Sequence, residues 1–559
     1  MILVLGLASI LVLALTALPL LILLLTSVAR KGTYGFESEG FVLDHYIALL
    51  QQRGLLDLLL NTVNYVFGTI AIAVVFAIAW AWITERTDFR FKATVRVLML
   101  VTVALPALIQ GLGWTLLANP NNGLLNLFLR YIFDLQSMEG PFNIYSMGMM
   151  VAISGLLLTP PIYVMLAGVI RHLDYKLEFP AVLAGVPSRT IFTGIIIPVL
   201  LPGLLSVLIY MAMVMIQAFE IPLSIGLTAG IQVFSTRIYL LSSSEMGPPD
   251  YNLAAAFGVL LVAIALGLVL IYQHMTRRSE RFAVITGKNY SLAVSKLGQR
   301  RFGVYAFAFL FFGVSLLPIM VLLWTSLLPF YDAPSASTLK LVSLNNFIEL
   351  FQTPMFVRSL INTLIIVLVG ASLTMVISFI IAYATLRPRG WLRRTIDIFA
   401  FLPIGIPHIV LGLAVLLVYV KTPLYGTIVV IILAQLSVNM VFAIRTLSAG
   451  LIQIDSSITQ AARISGVGHL NIMARVLAPI IKTQYFNSWL MIFAFSVRDV
   501  GIPLIFLTSE TVVLASALWL VWGYPDVPGA AALSIVMVIF LLAFIAPLQI
   551  WINRMDKKT

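Results

Sequence analysis

DYKLEFPAVLAGVPSRTIFTGIIIP, residues 174–198, has a counterpart in DSSITQAARISGVGHLNIMARVLAP, residues 455–479. Adding 281 carries Asp174, Ala181, Gly185 and Pro198 onto Asp455, Ala462, Gly466 and Pro479. Both stretches are amphiphilic islands in an apolar chain, and a long hydrophobic run follows each. An Asp at the start can cap a helix by accepting from its orphan N–H groups. The small residue and the Gly allow a turn and a close approach by another surface. The Pro fits the first turn of the next helix, where its missing N–H costs nothing. The pattern predicts a short helix, a turn and entry into a membrane, twice. An ordinary connecting loop would explain one copy but not two in register.

Composition places these loops. The chain has 559 residues, is 61% hydrophobic and only 10% charged. That is a polytopic membrane protein, all-α by the length of its apolar runs. No cysteine is present, so disulfides, thiolate metal sites and cysteine nucleophiles are excluded. Twelve runs are long enough to span a bilayer: 2–29, 58–83, 97–118, 146–170, 195–225, 252–273, 303–328, 357–386, 396–420, 427–449, 483–507 and 529–552. The first lacks a basic leader and a small-residue cleavage site, and is expected to be a retained helix.

The net charge of +12 reports orientation rather than nucleic acid, which is not an expected partner. With the N-terminus in the cytoplasm, cytoplasmic segments hold 25 of the 34 basic residues. The chain is therefore N-in and C-in, and Arg30 and Lys31 are local exceptions. Both amphiphilic loops then face the cytoplasm.

The duplication reaches further. Asn61, Thr62, Pro106 and Gly111 recur 301 residues on as Asn362, Thr363, Pro407 and Gly412. Ile221-Pro222-Leu223 recurs as Ile502-Pro503-Leu504, and Ala254 to Ala256 as Ala530 to Ala532. The offset changes only in expected external loops, where insertions are cheap. Residues 1–274 are a first six-helix repeat, 275–302 a basic cytoplasmic linker, and 303–559 a second six-helix repeat of the same orientation. A site on the pseudo-twofold axis is the natural expectation.

The paired loops resemble the "EAA" loop of type I ABC importer permeases: Glu-Ala-Ala, three residues, Gly, and a Pro thirteen residues further on. The second copy keeps Ala461, Ala462, Gly466 and Pro479, with Thr459 and Gln460 where acidic residues are usual. The first keeps Glu178, Ala181, Gly185 and Pro198, with Phe179 and Pro180 replacing a Glu and an Ala. The resemblance implies that these loops couple to a cytoplasmic ATPase dimer, one copy per loop. It also implies a periplasmic or extracytoplasmic substrate-binding protein, a bacterial inner-membrane location and alternating access. ATP would be used by the partner, with no cofactor bound by this chain. The linker segment 281–288, RFAVITGK, resembles the inter-half linker of fused permeases for ferric iron, and it is not a P-loop, because Phe282 stands where a Gly is needed. Permeases for thiamine, polyamines or phosphonates share the layout and remain alternatives. So does an ion-coupled secondary transporter, which would be expected to carry midplane carboxylates.

No catalytic constellation or metal-ligand spacing emerges, which disfavours an enzyme. The five histidines are scattered, and His408, beside Pro407 in the ninth run, is open to a transport role or to packing or a local hydrogen bond. Met147, Met149 and Met150 read as membrane packing. The informative polar residues follow the loops. The fifth run ends QAFEIP, residues 217–222, and its counterpart reads RDVGIP, residues 498–503. A charge at membrane depth costs roughly 2.5–3.5 kcal/mol, so it faces a cavity or pairs. Glu220, Arg498 and Asp499 are therefore candidates for a substrate path or gate, or for a structural charge cluster, with Glu220 a candidate partner for Arg498.

Overall fold

The computed structural model describes residues 2–34, 40–137, 139–171, 179–245, 247–276, 296–385, 396, 406–524 and 526–556. The described chain is helical, and its β pairing is an isolated bridge between Ala29 and Phe41. Among the described residues, eight helices are long and apolar enough to cross a bilayer: Gly6–Val28, Leu55–Arg86, Met147–Arg171, Tyr251–Tyr272, Gly298–Ser326, Pro354–Thr385, Ile428–Ile452 and Val527–Ile552. Two bent pairs bring the number to ten. The third run is Lys92–Ala104 and Ala107–Ala118, meeting at 95°, and the fifth is Thr193–Leu201 and Gly203–Met215, meeting at 53°.

Among the described residues the expected count of about twelve is thus roughly met, with some spans bent or short. In the ninth run, residues 397–405 lie outside the described residues, and the run continues as the helix His408–Tyr419. The eleventh, Lys482–Arg498, stops after 17 residues. Hydropathy sums over a bend when both arms are apolar, so these breaks leave no trace in it.

Packing divides the chain into two compact units that interleave the tandem halves. One contains residues 1–53, 237–262 and 322–559, and the other 54–236 and 263–321. In the first, the helices of residues 2–28 pack against Pro354–Thr385 and His408–Tyr419. In the second, Trp80 stacks on Phe307 at 4.9 Å, and Gly113 lies so close to Pro318 that a Cβ would meet its carbonyl oxygen at 2.6 Å. Each unit is built on a pair of long helices. Leu55–Arg86 packs along Met147–Arg171, where Gly155 admits Ile72 and Gly68 admits Val151. Small residues let helices approach closely where lipid offers no hydrophobic drive to associate. Pro354–Thr385 packs on Ile428–Ile452 in the other unit.

The repeat survives at the level of hydrogen bonds. Val42 N donates to Val28 O at 2.7 Å, and Ser343 N to Leu327 O at 2.8 Å. The short helices Asp44–Gln51 and Asn345–Gln352 follow. His45 Nε2 contacts Ala29 O at 2.9 Å, and its counterpart Asn346 donates to Leu328 O at 2.7 Å. The alanine triplets 254–256 and 530–532 are fully buried.

Candidate functional site

The two amphiphilic loops close in the same way. In the first, residues 172–178 lie outside the described residues, Asp174 and Glu178 among them. From there Phe179–Leu183 is helical, and Val186 N donates to Ala181 O at 3.0 Å. In the second, Ser456–Ile464 is helical, and Val467 N donates to Ala462 O at 3.0 Å. The turn requires a left-handed residue, and Gly185 (φ 70°) and Gly466 (φ 76°) supply it. Asp455 caps the second helix, its Oδ1 accepting from Ser457 N at 2.7 Å. A π-helical turn follows in both copies, Phe192–Ile196 and Ile472–Leu477. Pro198 and Pro479 then stand in the first turn of the next helical segment.

One pair of residues at these loops escaped the sequence reading. Leu183 is 71% exposed, and Ile464, 281 residues on, is 88% exposed. An apolar side chain is thus exposed at equivalent positions of both loops. The signal was available in the common offset, but the motif directs attention to Ala and Gly.

Each loop is tied to its unit by different chemistry. Arg171, at the root of the first loop, donates to Glu85 Oε2 at 2.9 Å, and Arg96 donates to Glu85 Oε1 at 2.8 Å. Glu85 is buried. In the second loop, Arg463 Nη2 lies 3.1 Å from His469 Nε2, and Tyr383 Oη lies 2.8 Å from His469 Nδ1. A guanidinium only donates, so Nε2 accepts and Nδ1 carries the proton toward Tyr383. Burial above all, with the positive charge of Arg463 among the lesser causes, holds His469 below the usual histidine range.

The second region lies where the spans break. After Met215 the fifth helix stops, and it restarts with Leu223 N donating to Phe219 O at 2.8 Å. After Arg498 the eleventh stops, and it restarts with Leu504 N donating to Val500 O at 3.1 Å. The second arms of the third and ninth runs meet these restarted segments at glycines. Gly111 abuts Ser224 and Ile221, and Gly412 abuts Ile502 and Ile505. Non-helical backbone at membrane depth is tolerated where it is buried in protein or lines a cavity.

The candidate path residues are distributed unevenly. Glu220 is half-buried at the restart in the unit of residues 54–236. Arg498 is half-buried in the other unit, and Asp499 beside it is 8% exposed. His408, at the first residue of its helix, brings Nδ1 to 3.6 Å from Asp499 Oδ1, with its side chain 46% exposed. Asp499 Oδ2 is buried without a hydrogen-bond partner among the described residues. Packing alone does not account for His408. The described residues hold no group of three or more His, Asp or Glu side chains placed to bind a metal ion.

Residues 374–559 match the family of binding-protein-dependent transport system inner membrane components. The chain is 24% identical over 486 residues to the ferric transport system permease protein FbpB of Actinobacillus pleuropneumoniae, covering 85% of this chain and 68% of that protein. It is 22% identical over 538 residues to the Fe(3+)-transport system permease protein FbpB 2 of Haemophilus influenzae, covering 95% of each. A solved chain of a bacterial ABC transporter involved in the import of the acidic polysaccharide alginate is 15% identical, with a TM-score of 0.36 over 46% of this chain and 96% of that one. The chain resembles ABC importer permeases, and the ferric permeases in particular, along most of its length. Its apolar helices and the match over residues 374–559 are those of a multi-pass inner-membrane transport component.

Proposed function

We propose that the chain forms the membrane path for ferric iron, delivered by the binding protein and moved into the cytoplasm by alternating access. A separate cytoplasmic ATPase dimer drives it. One ATPase subunit docks on the loop bearing Ala181 and Gly185, the other on the loop bearing Ala461, Ala462 and Gly466. ATP is spent by that partner, and this chain binds no cofactor of its own.

The observation that carries the coupling is the pair of loops. Two copies close through the same alanine-to-valine hydrogen bond and expose an apolar side chain at the same register. Two equivalent docks suit two equivalent subunits. Asp174 and Glu178 complete the first dock in this reading, while Asp455 caps the second. Similarity to ferric permeases along nearly the whole chain supports iron as the cargo.

ATP hydrolysis by the reconstituted complex tests both parts. Stimulation by a ferric-loaded binding protein, and none by the empty protein, is the expected result. Stimulation by another cargo overturns iron and leaves the importer. Transport driven by an ion gradient without any ATPase overturns the coupling role of the loops.

A further inference from the structure

The two halves serve as controls for one another at the breaks. Adding 301 turns Ala107 into His408, and adding 281 turns Ala218 into Asp499 and Ser154 into Gln435. In the first half these positions are neutral and closed. Ala107 and Ala218 carry no polar side chain, and Ser154 Oγ is satisfied by Tyr65 Oη at 2.8 Å. In the second half all three are polar, and two acceptors are left open.

Those acceptors are Asp499 Oδ2 and Gln435 Oε1, both buried without a hydrogen-bond partner among the described residues. Gln435 is fixed by its other end, where Nε2 donates to Ser496 O at 3.3 Å. Asn439 Nδ2 donates to Ser496 Oγ at 3.2 Å. Both amides thus grip the helix end that carries Asp499. A buried carboxylate oxygen without a donor is costly, and an ionisable group inside the membrane normally pairs. His408 approaches the other oxygen at 3.6 Å, which is beyond hydrogen-bond length. The arrangement supplies acceptors and asks for a cation.

We propose that Asp499, with His408 3.6 Å away, forms the point at which a hard metal cation contacts this chain during passage. The inference rests on the transport reading above and names the side of the path that does the work, the broken spans of the second half. Its carboxylate suits a hard cation, and the imidazole at the exposed edge offers a further donor. With so few protein ligands the contact is transient, as passage requires, because a site must release what it binds.

The test uses the complete complex with its ATPase and binding protein. Asp499→Asn keeps the shape and removes the charge, and ferric uptake is expected to fall by about tenfold or more, the worth of a charge-assisted contact. The chain has no cysteine, so His408→Cys introduces its sole thiol. That thiol is expected to react with a membrane-impermeant methanethiosulfonate, and to react several-fold more slowly while ferric-loaded binding protein and ATP sustain turnover. Native uptake in Asp499→Asn overturns the proposal, and so does a thiol that stays unreactive in every condition. Labelling answers even if the Asn variant folds poorly, since residue 408 is half-exposed. If the native complex moves a different metal cation, iron is wrong and this site stands, provided that uptake still needs Asp499. A neutral or anionic cargo overturns the site itself.

Discussion

Gly466 isolates backbone geometry from packing. Its φ is 76°, and a Cβ built on it meets nothing within 4 Å. Gly466→Ala therefore introduces no clash and removes no contact. What it adds is the penalty of an L-residue in the left-handed region, about 1–2 kcal/mol. That energy falls on the turn closed by Val467 N and Ala462 O. If docking needs the closed turn, the closed population and the apparent ATPase affinity drop roughly 5–30-fold. Protein yield should hold, because the residue is exposed and outside the helical core. Titrating the ATPase against the reconstituted permease measures the loss directly. Gly466→Asn should lose less, since Asn reaches positive φ more easily. Gly185→Ala, at φ 70° and equally open, should repeat the effect at the first loop. Native affinity in Gly466→Ala would refute the reasoning. Equal damage from Ala and Asn would refute it too, by pointing to the side chain instead of the backbone.

Leu183→Asp and Ile464→Asp should each weaken ATPase binding by about tenfold or more, with the double variant losing co-purification altogether, because an apolar anchor in a pocket carries the largest share of an interface. His469 is held below its ordinary value of 6.5, so the neutral form is favoured and its contribution is complete above that value. It is lost as the pH falls through the lowered value, when protonation removes the acceptor that Arg463 uses. ATPase retention should therefore weaken as the pH is lowered below 6.5, and His469→Phe should remove that dependence, as read by pull-down across pH. Glu85→Ala leaves Arg96 and Arg171 without their shared acceptor. It should cost about 1.5–3 kcal/mol, seen as a lower melting temperature of the detergent-extracted protein, moderated because both guanidinium groups keep contact with water.

Spacing was enough to read the loops, because a left-handed Gly and a Pro after a helical turn are constraints on local backbone. The 95° bend between Ala104 and Ala107 was not legible, although Pro106 had been matched to Pro407. Both arms are apolar, and the bend is settled by Gly111 seating against Ser224, a contact between residues more than a hundred positions apart. The His469 relay was hidden for the same reason, since Tyr383 belongs to a different span. His408 looked ambiguous in sequence because its partner lies 91 residues away, beyond any local pattern.

The duplication explains why the asymmetry carries weight. Two halves that share their loop closures, helix restarts and buried alanine triplets are built to the same backbone plan. Where they differ in chemistry at matching positions, the plan does not demand the difference. Ala218 shows that the break after the fifth span folds without a carboxylate at this position, its own carboxylate, Glu220, lying two residues on, and Ala107 shows that the bend in the third folds without an imidazole. The cost of burying Asp499 with an open oxygen is therefore not the cost of making the break. It is an added cost, incurred in one half alone, and a cation in transit offsets it when the path is loaded.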